Sequence, residues 1–191
     1  MGLDPIVVVF DACVLYPFHL RNIVVQIAVD RLADARWTDE IHDEWIGSLV
    51  ADVPGLSIER LQITRKLMIG ALPEAMVTGY QKFLETITLP DPHDRHVVAA
   101  AISAGASVVL SWNLRDFPAR EMKKHGLVCQ TPDIFLTGLY DKAPNLVLAS
   151  LANARRNLTK SRVSVPGFID IVKNQKLTRL AAKISRRTSD L

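Results

Sequence analysis

Four acidic residues are spaced so that their carboxylates could act together: Asp11, Glu44, Asp94 and Asp116. Asp11 directly follows the β-branched run Ile6–Phe10, and Asp116 follows the apolar segment Val108–Leu110 after a short turn. Carboxylates brought close together repel one another unless they are protonated or neutralised by a cation. A hard, oxygen-seeking cation such as Mg²⁺ or Mn²⁺ would neutralise them, so the pattern favours metal-assisted chemistry.

The elements that must position these acids alternate along the chain. Short apolar runs predict strands, and the segments between them have the periodicity and caps of helices, such as a helix over Asn22–Ala35 and one beginning after Thr38. This alternation predicts an α/β fold with a mostly parallel sheet, whose ligands bind beyond the carboxyl ends of the strands. The predicted strands are Ile6–Phe10, Thr86–Leu89, Ser107–Ser111 and Leu127–Gln130.

Charge divides the chain of 191 residues into two parts. Residues 1–140 carry 12 Lys and Arg against 17 Asp and Glu, whereas residues 141–191 carry 11 Lys and Arg against 3 Asp. We therefore predict an acidic α/β domain over residues 1–140 and a basic helical appendage over residues 141–191, with helices over Leu146–Leu158 and Pro166–Ile184. Such an uneven distribution of charge is typical of proteins that bind a polyanionic partner.

The composition also bears on the compartment. No apolar run approaches the roughly 20 residues of a membrane-spanning helix, so we expect no membrane association. The first five residues lack the basic segment and cleavage site of a signal peptide. The two cysteines, Cys13 and Cys129, are too few for a disulfide scaffold and lack metal-site spacing, so free thiols are expected. These features predict a cytoplasmic protein.

Four segments in this order resemble the PIN-domain ribonucleases, and in particular the VapC toxins of toxin–antitoxin pairs. The resemblance covers roughly residues 5–140, and its motifs are Val7–Pro17, Trp37–Trp45, Leu89–Ala101 and Ser111–Pro118. It implies a PIN-like central parallel sheet flanked by helices, RNA hydrolysis with Mg²⁺ (or Mn²⁺), frequent homodimers and a cognate antitoxin. By the same resemblance, the positions matching the family's acids are Asp11, Glu44, Asp94 and Asp116, supported by Ser111 and Asn113, with Asp91 as a further acid behind them.

Metal-held water at such a cluster could attack an RNA phosphodiester. Asp11 and Asp94 would then be the central ligands, while Glu44 and Asp116 complete the set directly or through water. Cationic residues are candidates for binding the RNA backbone: Arg21, Lys176, Arg179 and Lys183. For Arg21, a local structural pairing is an equal alternative. For the appendage, capture of RNA competes with docking of a second copy or an antitoxin through the apolar stripe of Leu177, Leu180 and Ile184.

Other classes of protein were weighed against this one. A haloacid-dehalogenase-type phosphatase needs a second aspartate where this chain has Cys13, which excludes it. An HD-type phosphohydrolase would use His42, His93 and Asp94, but that family is all-helical and this chain has clear strand patterns. The alternative that stays open is a catalytically inactive PIN-like module that binds RNA or protein.

Overall fold

A computed structural model describes residues 4–191. Residues 1–3, part of the segment considered for a signal peptide, lie outside the described residues. The strands are β1 (Ile6–Phe10), β2 (Ala33–Arg36), β3 (Val108–Leu110) and β4 (Val128–Gln130). The helices are α1 (Ala12–Leu15), α2 (Phe18–Val29), α3 (Asp39–Asp52), α4 (Ile58–Ala71), α5 (Arg95–Ser103), α6 (Ala119–Lys124), α7 (Pro132–Lys142), α8 (Pro144–Arg156), α9 (Val165–Asn174) and α10 (Thr178–Ile184).

The four strands form one parallel sheet in the order β2-β1-β3-β4. Helices flank this sheet, so the predicted α/β class with a central parallel sheet is confirmed. Strands β1 and β3 are the two inner strands, and Val8, Val9 and Leu110 are completely buried. Their burial explains the apolar, β-branched sequences, because an inner strand of a parallel sheet is covered on both faces. The carboxyl ends of β1 and β3 consequently lie side by side at one edge.

The outer strand β2 was not predicted. Its sequence, Ala-Asp-Ala-Arg, lacks β-branched residues, and the expected helix over residues 22–35 ends instead at Val29. Pairing with β1 forms this strand, in a register that sets Ile6 opposite Ala33 and Val9 opposite Arg36. The Arg36 Nη2 donates a hydrogen bond of 2.7 Å to Asp34 Oδ2 along the strand. Tertiary pairing has overridden a weak local preference.

The predicted strand over Thr86–Leu89 is wrong. A 3₁₀ segment, Tyr80–Thr86, ends at the start of this region, and residues 87–89 form no strand. Ile87 and Leu89 are nevertheless buried, at 3% and 7% exposure, and the 3₁₀ segment packs against α5. The apolar pattern therefore predicted the burial of Ile87 and Leu89 correctly, but the two residues pair with no strand of the sheet.

The apolar residues of the helices in the predicted appendage belong to the same hydrophobic core as the sheet. The stripe predicted to dock on a partner, Leu177, Leu180 and Ile184, is completely buried within this chain. Helix α10 packs on α7 and α9, and α8 packs on α2. That stripe is therefore unavailable for docking, and the docking alternative must use another surface.

The predicted helix over residues 166–184 is two helices. Helix α9 ends at Asn174, and Lys176 adopts the left-handed conformation, with φ of 60°. Helix α10 then begins with its free backbone N–H groups directed at Asp133 on α7: Arg179 N and Leu180 N each lie 3.1 Å from an Asp133 carboxylate oxygen. A buried carboxylate that accepts two backbone N–H groups fixes the start of α10. None of the described helices combines the length and the apolar character needed to cross a membrane.

Candidate active site

Asp11 lies at the carboxyl end of β1 and is 6% exposed. Its backbone N–H donates to Leu110 O at 3.0 Å, which extends the pairing of β1 and β3 by one residue. Its side chain does not cap the short helix α1 that follows. The carboxylate is therefore directed to other partners at the strand ends, which agrees with its predicted position at the sheet edge.

Ser111 and Cys13 hold that carboxylate. The Ser111 hydroxyl donates to Asp11 Oδ2 at 2.6 Å, and the Cys13 thiol donates to the same oxygen at 3.0 Å. Burial, together with the charge of Asp11, raises the pKa of Cys13 to about 12, so the thiol keeps its proton at neutral pH. The Asn113 backbone N–H donates to Ser111 Oγ at 3.0 Å. Ser111 thus orients the acid directly, and Asn113 supports Ser111 through its backbone.

Asp94 lies at the start of α5, and its carboxylate makes no capping hydrogen bond. Asp91 caps the 3₁₀ turn Pro92–Asp94 that leads into α5, because its Oδ1 accepts the His93 backbone N–H at 2.8 Å. Partial burial and, after it, the neighbouring charges of Asp11, Asp116, Asp91 and Glu44 together raise the pKa of Asp94 to about 6. The predicted acids therefore lie close enough to one another to disfavour the ionised form of Asp94.

Glu44 reaches the same edge from α3 and contacts a buried histidine that sequence analysis did not single out. His96 on α5 is 3% exposed, and its Nε2 lies 2.9 Å from Glu44 Oε1. Burial lowers the pKa of His96, but the contact with Glu44 and the charges of Glu40 and Asp11 outweigh burial, so the net shift is upward. His96 therefore lies behind Glu44, and the contact of its ring with the Glu44 carboxylate favours the protonated form of the imidazole.

Asp11, Glu44 and Asp94 line a cavity of about 480 Å³ that opens at the carboxyl edge of the sheet. Asp116 does not line this cavity, although its charge acts on Asp94. Within residues 4–191, no three His, Cys, Asp or Glu side chains are close enough together to enclose a metal ion as they stand. The donors nevertheless suit Mg²⁺, because they are carboxylate and amide oxygens whose repulsion a cation would relieve. The lining residues are Asp11, Ala12, Cys13, Tyr16, Glu44, Trp45, Ser48, Asp52, Asp94 and Asn113.

The cationic candidates lie in different surroundings. Arg21 is 6% exposed, its guanidinium lies 4.5 Å from the centre of the Trp45 ring, and its Nη1 donates to the backbone carbonyls of Leu15 and Tyr16. This placement favours local pairing over contact with phosphate. Lys183 is paired with Asp141 at 2.7 Å.

Lys176 and Arg179 are exposed, and neither forms an ion pair with any carboxylate of residues 4–191. Lys176 lies near the acidic edge, because its Nζ is 5.8 Å from the centre of the Trp112 ring. Trp112 separates Ser111 from Asn113 in the chain. The turn between α9 and α10 therefore brings Lys176 to the loop after β3 that contains Trp112.

His96, Cys13 and Trp112 are the site residues that sequence reasoning missed. Trp112 sits inside the motif that was recognised, and Cys13 was interpreted only as a buried thiol. Position gave some signal for both, since each lies within two residues of a candidate site residue. His96 has the same signal, because it lies two residues after Asp94, but its contact with Glu44 joins two helices far apart in the chain and could not be read from the sequence.

The histidines of the HD-type alternative do not assemble. His42 is completely buried, its Nδ1 accepts a hydrogen bond of 3.0 Å from Trp45 Nε1, and His93 is exposed. Burial lowers the pKa of His42 to about 4, with the charge of Arg65 acting in the same direction. A neutral histidine held in the core in this way serves packing.

The parallel sheet flanked by helices, with Asp11 at the end of β1 and Glu44 and Asp94 lining the cavity beside it, resembles a PIN-like fold. Residues 132–186 match the family model of the VapC50 C-terminal domain. Over 90 residues the chain is 36% identical to the "Putative ribonuclease VapC50" of Mycobacterium tuberculosis (strain ATCC 25618 / H37Rv), an alignment that covers 44% of this chain and 52% of that protein. These two matches confirm the resemblance to VapC-like PIN-domain ribonucleases. The chain spans about half the length of the curated relative it matches. No solved structure matches the chain.

Proposed function

We propose that this protein is a Mg²⁺-dependent endoribonuclease that acts in the cytoplasm as the toxin of a toxin–antitoxin pair. Its proposed site consists of Asp11, Glu44, Asp94 and Asp116. The observation that carries the proposal is the convergence of these acids on one sheet edge, which is expressed in the raised pKa of Asp94. A scaffold gains nothing from concentrating carboxylates in this way, whereas a site for a divalent cation requires it.

The site residues would have different roles in binding the ion and in hydrolysis. Asp11 and Asp94 would hold the ion, and Glu44 and Asp116 would complete its surroundings directly or through water. When bound, the ion would lower the pKa of water and offset charge on the phosphate oxygens. Ser111 and Cys13 would keep the Asp11 carboxylate in place by donating to Oδ2, while His96 would do the same for Glu44. One of the two outer acids would accept the proton of the attacking water.

A protein partner is part of this proposal. An apolar groove lies between α2 and α4, and two of its lining residues, Phe18 and Leu67, are 58% and 69% exposed. Arg21 lines this groove and stacks on Trp45, which lines the acidic cavity, so the two surfaces adjoin. An antitoxin segment with apolar residues and a basic residue would cover both, because its cation would pair with the carboxylates. We also expect a homodimer, as the family resemblance implies.

The test is RNA cleavage by the purified protein. Total RNA incubated with Mg²⁺ is expected to be cut at mappable positions, whereas EDTA should stop cleavage. Asp11→Asn retains the shape of the side chain but removes its charge, and it should be inactive while still folded. If wild type and Asp11→Asn are equally without effect on RNA, and Mg²⁺ leaves the melting temperature of both unchanged, the inactive binding module becomes the better description.

A further inference from the structure

The acidic edge has an electrostatic difficulty that the C-terminal helices could resolve. Before a cation binds, Asp11, Glu44, Asp94 and Asp116 repel any polyanion that approaches the cavity. A nuclease with such a site needs fixed positive charge nearby to hold the RNA backbone. In the described part of the chain, Lys176 is a free cation that contacts a residue of the site's own loop.

The link between Lys176 and the site runs through Trp112. The indole receives the lysine ammonium at 5.8 Å from the ring centre, within the range of a cation–π contact. The Trp112 backbone N–H donates to Cys13 Sγ at 3.3 Å, and Cys13 in turn donates to Asp11 Oδ2. Trp112 is packed partly against the core, so its ring is anchored. The ammonium is therefore directed to the loop after β3, whose residues Ser111 and Trp112 contact Asp11 and Cys13.

The backbone at Lys176 determines which substitution can test its side chain. Lys176 follows the end of α9 with φ of 60°, a conformation that glycine adopts at no steric cost. Arg31 has nearly the same conformation, with φ of 58°, so the backbone by itself assigns neither side chain a function. Glycine can therefore replace either residue without backbone strain, and the contact with Trp112 is what shows where the Lys176 side chain is directed.

We propose that Lys176, positioned by Trp112, binds a backbone phosphate of single-stranded RNA next to the phosphodiester that is cut. This inference rests on the proposed nuclease function and assigns the C-terminal helices a part in it. Lys176 is the binding residue, and Trp112 is a positioning residue. The resulting surface combines a cation with an aromatic ring, a combination that is typical of sites for single-stranded nucleic acid.

The test compares two glycine variants of the full-length protein. Lys176→Gly removes the charge and suits the left-handed backbone. Arg31→Gly is its matched control: Arg31 is also exposed and basic with φ of 58°, but it precedes β2, at the edge of the sheet opposite the site. Both variants should fold with melting temperatures equal to or slightly above that of wild type. Binding of a fluorescein-labelled, unstructured 15-nucleotide RNA is measured by anisotropy in EDTA, over a series of KCl concentrations.

We expect Lys176→Gly to weaken binding several-fold and to reduce the slope of log affinity against log salt by about 0.7 to 1, whereas Arg31→Gly matches wild type. Lys176→Arg should retain wild-type binding. Trp112 supplies a second readout, because Trp37 and Trp45 are completely buried and Trp112 is the accessible tryptophan. RNA should protect the fluorescence of wild type from acrylamide quenching, with less protection in Lys176→Gly.

Equal weakening by Lys176→Gly and Arg31→Gly would reduce the effect to net charge and overturn the proposal. Wild-type RNA binding by Lys176→Gly together with loss of dimerisation or of antitoxin binding would assign the residue to a protein interface and also overturn it. If Lys176→Gly cleaves and binds RNA as wild type does, this inference fails while the nuclease function stands. If wild type neither binds nor cleaves RNA, both fail.

Discussion

The Ser111 hydroxyl donates a hydrogen bond of 2.6 Å to Asp11 Oδ2 and so joins the carboxyl ends of the two inner strands. Ser111 is completely buried and Asp11 nearly so. A buried carboxylate requires such donors, because an unpaired charge in the core is costly. The same bond fixes the direction of the acid that we place at the centre of the proposed metal site.

Ser111→Ala should therefore reduce both stability and activity. Loss of a hydrogen bond to a charged group costs about 1–3 kcal/mol, measurable by urea unfolding. Loss of a residue that orients a metal-binding carboxylate typically costs ~10–100-fold in activity or metal affinity. Ser150→Ala is the matched control, since Ser150 on α8 is also buried but its hydroxyl has no hydrogen-bond partner in residues 4–191. That control should be neutral or stabilising, and an equal loss in both variants would contradict the prediction.

Asp11→Asn should abolish RNA cleavage, with a loss of at least ~100-fold, and should also abolish the rise in melting temperature that Mg²⁺ is expected to produce in wild type. In EDTA the variant should be as stable as wild type or more so, because one repelling charge is removed. Thermal unfolding with and without Mg²⁺ measures both effects. A variant that Mg²⁺ still stabilises as it does wild type would place the ion elsewhere.

Asp94 predicts a pH dependence in the metal-free protein. Its pKa is about 6 in the folded state, against 3.8 as the ordinary value, so in this window the folded protein binds more protons at Asp94 than the unfolded chain does. This contribution to the free energy of unfolding is therefore full below about pH 4, falls as the pH rises towards 6, and is constant above that. Asp94→Asn lacks this dependence.

The measurement is urea unfolding in EDTA from pH 4 to 7 for both proteins. The stability of Asp94→Asn relative to wild type should rise across the window and then level off. The difference in stability between the two proteins cancels the contributions of other titrating groups. His42 is the main one, because its lowered pKa makes the free energy of unfolding rise with pH over an overlapping range. A difference that stays flat from pH 4 to 7 would show that Asp94 is not perturbed.

Leu180→Ala should destabilise the whole protein, because Leu180 is completely buried in the core shared with the sheet. A cost of about 2–5 kcal/mol is typical of such a cavity. Leu146→Ala makes the same chemical change on α8 at a side chain that is 49% exposed, and it should cost far less. Unfolding followed by fluorescence and by circular dichroism should give one transition. Two separate transitions would show that residues 141–191 unfold independently of the sheet.

Much of the local structure could be read from single residues. The β-branched run that stops at Asp11 predicted β1, since an inner parallel strand needs apolar residues on both faces. Thr38 was expected to begin a helix, and its side chain accepts the backbone N–H of Ile41. Such caps depend on residues within one turn, so the sequence carries them in full. The order of the acidic motifs likewise placed the site at one edge of a parallel sheet.

Contacts between distant segments decided the rest. Ala33–Arg36 is a strand only because β1 offers it a partner, and Leu177 is core only because α10 packs on α7 and α9. The contact of His96 with Glu44 and that of Lys176 with Trp112 each join two segments that are distant in the sequence, and no local pattern predicts these pairings. An apolar stripe predicts that a helix face is buried, but it does not predict which surface covers that face. The free energy of burial depends on the apolar area that is removed from water and not on the identity of the partner. Only the tertiary structure supplies that partner.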